Sequence, residues 1–97
     1  MTRVFLVLDL RVNDLRDFLP HIEAIPAFIA RRGGRHASRG ADPIVVEGDW
    51  SPRRLVILEF PSRGRAEAFL ADPDSQDQFA RRHRSTTSRL VLVEGEP

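Results

Sequence analysis

Residues 53–60, Arg53-Arg54-Leu55-Val56-Ile57-Leu58-Glu59-Phe60, place four apolar, largely β-branched positions in a row between the turn-forming Ser51-Pro52 and Pro61. Such a run reads as a strand. A strand of an antiparallel sheet with one wet face should alternate apolar and polar side chains. Leu55 to Leu58 does not alternate, and neither do Val4 to Leu8 and Leu90 to Val93. All three are apolar at every position, so both faces of their sheet should be covered.

Between these runs lie helical and turn signals. Arg3 to Val12 is the first strand, and Asn13 or Asp14 caps a helix behind it. Leu15, Phe18, Leu19, Ile22, Ile25, Phe28 and Ile29 recur at three- and four-residue spacing, ending at Gly33-Gly34. Pro20 and Pro26 interrupt that stripe, which predicts a kink or a broken first segment and a better helix from Ile22 to Arg32. Arg35 to Arg39 and Ile44 to Glu47 read as two halves of one strand, separated by a bulge or bend at Gly40-Ala41-Asp42-Pro43. Gly48-Asp49-Trp50-Ser51-Pro52 turns the chain into residues 53–60. Ser62 caps a short helix through Ala66, Phe69 and Leu70, Asp72-Pro73 restarts a turn or two through Phe79 and Arg82, and Arg89 to Glu94 closes the order as a strand.

The order is β-α-β-β-α-β, the split arrangement called ferredoxin-like: an α+β fold with a four-stranded antiparallel sheet and two helices on one face. Two helices cover one face only. The simplest cover for the other is the same face of a second copy, which predicts a homodimer packed sheet to sheet. The 97 residues fit one domain spanning 1–97.

Composition narrows the partners. The chain is 41% apolar and 30% charged with a formal net charge of +1, all 15 basic residues being arginine. That charge is too small to argue for nucleic acid, and no apolar run approaches the roughly 20 residues of a membrane span. Met1-Thr2-Arg3-Val4-Phe5 runs straight into the first strand without a secretory pattern, so the expected location is cytoplasmic. Without cysteine, and without histidines at ligand spacing, no metal site is expected. Gly33-Gly34 ends a helix rather than opening one and forms no phosphate loop. No cofactor is therefore expected, whether flavin, nicotinamide or metal.

Several stretches resemble one bacterial family: Glu47-Gly48-Asp49-Trp50, Arg54 through Pro61, and Thr87 through Gly95, with Pro26, Gly33-Gly34-Arg35, Arg39-Gly40, Pro73 and Arg82 at matching places. The family is domain of unknown function 1330, and the resemblance covers almost the whole chain. It implies the dimeric α/β-barrel superfamily, in which two ferredoxin-like subunits pack sheet to sheet. It implies no established reaction. Where relatives carry Tyr or Phe followed by a branched residue, this chain has His36-Ala37-Ser38, and where they carry tyrosine it has Phe18 and Ser75; it contains no tyrosine.

Few polar residues sit inside apolar strands, and these are the site candidates. Asp9, between Leu8 and Leu10, is either an acid, base or anchor in a cleft between sheet and helices, or an acid paired with an arginine. His36 changes charge near neutrality and is the other catalytic candidate, unless it merely fills an aromatic's place. Glu59 and Arg54 have opposite strand parity, and either could face the cleft. Arg39 and Arg89 offer planar forks for a carboxylate or phosphate, or closed ion pairs with Asp9, Glu47, Glu59 or Glu94. Trp50 either closes the pocket or packs against the dimer partner. At least two of Asp9, His36, Arg39 and Glu59 should share one cavity, with Trp50 at its rim. His21, His83 and the run Arg81-Arg82-His83-Arg84 read as solvated helix faces. The function expected is binding of a small acidic or carbonyl-bearing metabolite, with isomerase- or monooxygenase-like turnover by analogy to superfamily relatives. A noncatalytic ligand-binding or stress-related module is the alternative. A haem-binding or haem-degrading protein, with His36 or His83 as iron ligand, is the third.

Overall fold

The computed structural model describes residues 2–96. The elements are β1 (Val4–Val12), α1 (Leu15–Arg31), β2 (Arg35–Ala41), β3 (Arg54–Phe60), α2 (Arg63–Ala71), a 3₁₀ turn at Pro73–Ser75, α3 (Gln76–Ser85) and β4 (Thr86–Glu94). The strands form one antiparallel sheet in the order β2-β3-β1-β4, as the ferredoxin-like arrangement requires.

Side-chain alternation sorts the sheet into two unlike faces. Val4, Leu6, Leu58 and Phe60 point to the helices, where they bury against Ile25, Ile29, Ala66 and Phe69. Phe5, Val7, Leu55 and Ile57 alternate with them along the same two strands, and they remain half-exposed. Val91 and Val93 of β4, opposite Val7 and Phe5, are 55% and 50% exposed. The helices of the chain thus cover one face of a sheet whose central strands are apolar on both.

Three local expectations are corrected. α1 runs unbroken from Leu15 to Arg31 through both prolines. Each proline removes one backbone bond, but the stripe Phe18, His21, Ile25 and Ile29 is buried along its whole length and holds the helix to the sheet. Asp14 caps its start, its carboxylate accepting from the Asp17 amide at 3.1 Å. At the far end Gly33 takes φ +79° and its amide donates to Ala30. The expected second half of β2 is a loop, in which Ile44 and Val46 are 89% and 93% exposed. Its register breaks earlier, between His36 and Ser38 and again between Arg39 and Ala41. β4 starts at Thr86, three residues before the expected Arg89, because α3 continues to Ser85. The carbonyl of Ser85 then accepts from both the Asn13 and Asp14 amides, which ties the two chain crossings together.

Candidate functional site

The helix-facing side of the sheet does not close completely. Between the four strands below and α1, α2 and α3 above lies a cleft of about 150 Å³. Leu6, Leu8, Leu10, Val56 and Leu58 form its floor, and Phe18, Ile22, Ile25, Phe69 and Phe79 line its walls. Its polar groups are His21, His36, Arg39, Arg54 and Arg82. No carboxylate lines it.

Arg82 is the deepest of these cations, only 7% exposed. Its Nη1 donates to Ser88 Oγ at 2.7 Å, and Nη2 lies 3.4 Å from His83 Nε2. Among the described residues no acid comes within ion-pair distance of it. Burial pulls its pKa below the ordinary guanidinium value. The neighbours in the basic run explain why it stands alone. Arg81 and Arg84 project outward from α3, and Asp17 of α1 accepts from both, at 2.9 and 2.7 Å. Arg82 lies between them in sequence and is turned inward with no acid left to meet it. Arg39 and Arg54 are exposed at the cleft mouth and likewise make no ion pair among the described residues.

Two histidines share the cleft. His36 on β2 is half-buried, and its pKa is held below the usual value by burial and then by Arg39. His21 on α1 is 6% exposed and stacks on Phe18, with ring centroids 5.1 Å apart. Burial lowers its pKa most. The hydrogen bond to the Gln78 carbonyl opposes that, and Arg82 and Arg81 add to the lowering. Both imidazoles are therefore neutral at neutral pH.

The sequence candidates divide between the two faces. His36 and Arg39 line the cleft together. Asp9, Arg89 and Trp50 do not. They meet on the opposite face in a shallow depression with Arg11, Arg53 and Thr87, where Trp50 Nε1 donates to Asp9 Oδ2 at 3.3 Å. Asp9 and His36 thus do not share a cavity, because Asp9 has odd parity on β1 and that strand lines the cleft with its even positions, Leu6, Leu8 and Leu10. Trp50, in the loop before β3, follows Asp9 to that face and is not at the cleft rim. Glu59 also faces away, opposite Phe5, and accepts from Arg3 at 2.7 Å and Arg35 at 3.1 Å. The Arg35 bond is the main cause of its lowered pKa. Arg54 is the charged member of that strand that reaches the cleft.

His21 and Arg82 are the cleft residues that a solvated-helix reading passes over. The signal existed in helical spacing: His21 falls three after Phe18 and four before Ile25, and Arg82 falls three after Phe79. His83, a proposed haem ligand, is exposed and lies outside the cleft lining. Among the described residues no three metal-ligating side chains come together, and no helix is long and apolar enough to cross a membrane.

Comparison with known proteins places this architecture. The family model described as "Domain of unknown function (DUF1330)" matches residues 3–96. A protein of unknown function from Rhodopseudomonas palustris superposes with a TM-score of 0.80 at 16% identity, covering 99% of this chain and 84% of that one. SnoaB, a cofactor-independent oxygenase from Streptomyces nogalater, gives a TM-score of 0.70 at 19% identity over 100% of this chain and 96% of its own. A dimeric protein of unknown function and ferredoxin-like fold from Bacteroides fragilis gives 0.51 at 14%, over 97% and 96%. The comparison with curated proteins returns no match. At these identities the structural likenesses establish the fold.

Proposed function

The chain belongs to the DUF1330 family, and from that premise and the chemistry of its cleft we propose a homodimeric, single-domain protein that binds a small apolar molecule carrying one anionic acid group. The observation that carries this reading is Arg82. A buried cation without an acid partner is costly to keep, and this one lines an apolar cavity in which every charged group is an arginine. A carboxylate bound there would receive charge-assisted hydrogen bonds in a dry site, while its apolar body filled the space between Phe18, Phe79 and the leucine floor. Arg39 and Arg54 at the mouth would draw an anion in, and His36 would contact its body or a second polar group. This reading needs no cofactor.

The dimer follows from the open sheet face. Phe5, Val7, Leu55, Ile57, Val91 and Val93 form a continuous apolar strip, and a second copy of the same strip is its natural complement. The neighbour from Bacteroides fragilis is described as dimeric, which supports a dimer here. Asp9, Trp50 and Arg89 then lie at the end of an interface rather than at the ligand.

The test is calorimetric titration with phenylpyruvate, an aromatic keto acid, against its uncharged methyl ester. The acid should bind about tenfold more tightly or better, the difference expected of a charge-assisted hydrogen bond. Equal affinity for acid and ester would remove the anion from the account.

A further inference from the structure

His21 is held more firmly than any binding role demands. Its Nδ1 lies 2.9 Å from the backbone carbonyl oxygen of Gln78 on α3. A carbonyl only accepts, so in the neutral ring Nδ1 carries the proton and Nε2 keeps the lone pair. Stacking on Phe18 and burial against the sheet fix the plane of the ring. Nε2 has no hydrogen-bond partner among the described residues, and the residue lines the same cleft as Arg82. His36 lines it too, but none of the hydrogen bonds of the described residues orients its ring.

We propose that His21 is a general base, whose Nε2 removes a proton from the carbon next to a carbonyl of the bound acid while Arg82 stabilises the enolate that forms. The proposal rests on the anion-binding reading above. In the step a C–H bond breaks and an Nε2–H bond forms. The C–H electron pair becomes the enolate double bond, and the negative charge moves to the former carbonyl oxygen beside the guanidinium. Replacement of the Nε2 proton from solvent before its delivery to the same carbon gives exchange, and delivery to a conjugated carbon gives isomerisation. Neither requires an oxidant or a cofactor.

The electrostatics of the site fit this role. Arg82 lines the cleft with the ring, and Arg81, turned outward to its pair with Asp17 of α1, adds a weaker repulsion; His36 and Arg39 of β2 and Arg54 of β3 complete the groups around the cleft. Burial first, and then Arg82 and Arg81, keep His21 deprotonated and available near neutrality. They also make it a weak base, which the enolate offsets by placing a negative charge between the imidazolium and Arg82.

Phenylpyruvate is again the probe, because its benzylic C–H lies next to a ketone. Exchange of that proton in D₂O is followed by ¹H NMR at saturating probe, so that altered affinity does not enter. Wild-type protein should accelerate exchange, with a rate that rises as the His21 ring loses its proton. His21→Asn keeps an N–H donor for Gln78 and removes the base. It should lower exchange about a hundredfold, the usual worth of a general base. Full exchange in His21→Asn would overturn the proposal. Binding without accelerated exchange in the wild type would overturn it too, leaving the binding reading intact, whereas absence of binding would overturn both. Histidine ¹⁵N NMR of the wild type provides a check that does not depend on a variant: His21 should be neutral and protonated at Nδ1, and a ring protonated at Nε2 would exclude it as the base.

Discussion

Replacing Arg82 with methionine separates a binding arginine from a structural one. In the free protein the substitution removes a buried cation and keeps most of the side chain's length in the apolar cleft that Phe79 also lines. It sacrifices the 2.7 Å bond to Ser88, and a hydrogen bond to a charged group is worth about 1.5–3 kcal/mol. Against that stands the cost of holding a guanidinium out of water without an acid, which is several kcal/mol in effect, and replacement of buried charges by apolar residues commonly stabilises by about 1–4 kcal/mol. Set against each other, these leave a net change between about 2 kcal/mol against Arg82→Met and about 2.5 kcal/mol in its favour. For a chain of this size each kcal/mol shifts the thermal midpoint by about 4–8 °C. Affinity for phenylpyruvate should fall about ten- to hundredfold as the charged hydrogen bond disappears. The assay is paired: thermal unfolding without ligand at one fixed protomer concentration, because assembly shifts the midpoint, and calorimetric titration with ligand. A destabilised variant with unchanged affinity would make Arg82 a structural residue and refute the reasoning.

Three further outcomes are expected. Ile57→Glu places a charge in the open apolar strip, where a partner would bury it, and light scattering should change from about twice the 11.0 kDa chain mass to that mass once; a monomeric wild type would dispose of the sheet-to-sheet dimer. The fold favours the neutral forms of His21 and His36, whose pKa values are lowered from 6.5, so their contribution to stability is complete above pH 6.5 and is lost as the pH falls below it. Denaturant titrations should show that decline and a shallower one in His21→Asn, followed by a second loss at lower pH as Glu59, Asp17 and Asp72, all lowered by their partners, take up protons; a flat profile down to the carboxylate range contradicts the histidine placement. Gly34→Ala would put a methyl 2.5 Å from the Phe60 ring, and overpacking of that kind costs about 1–3 kcal/mol, readable as a lower urea midpoint.

How much of this the sequence revealed depends on which period is read. Three unalternating strands carried the topology, because β-branched runs bounded by turns leave few other arrangements. They also indicated that one apolar face would be left over. The ends of elements were less legible. Pro20 and Pro26 carry a local signal to stop, and only the buried stripe from Phe18 to Ile29 overrides it. Ile44-Val45-Val46 carries a local signal for a strand, yet it lies beyond the bulges of β2 and pairs with nothing among the described residues.

The site was legible in part. His36 and Arg39 stand out as polar residues in a strand; their parities are opposite, and the register shift between His36 and Ser38 sets them opposite Leu58 and Val56, so that both line the cleft. Asp9 interrupts a strand equally visibly, but interruption does not reveal which face is meant until the register with β3 is known. His21 and Arg82 were hidden by composition. A histidine on a polar-looking helix and an arginine among arginines look solvated until the three- and four-residue spacing to Phe18, Ile25 and Phe79 is given more weight than their charge.

The account centres on the apolar cleft as the seat of a small anion held by Arg82. The most direct measurement is a crystal structure of the wild-type protein grown with phenylpyruvate. The carboxylate should lie within hydrogen-bond distance of the Arg82 guanidinium, with the ring between Phe18 and Phe79. Phenylpyruvate bound instead at the Asp9–Trp50 depression, or a cleft that remains empty at saturating concentration, would contradict it.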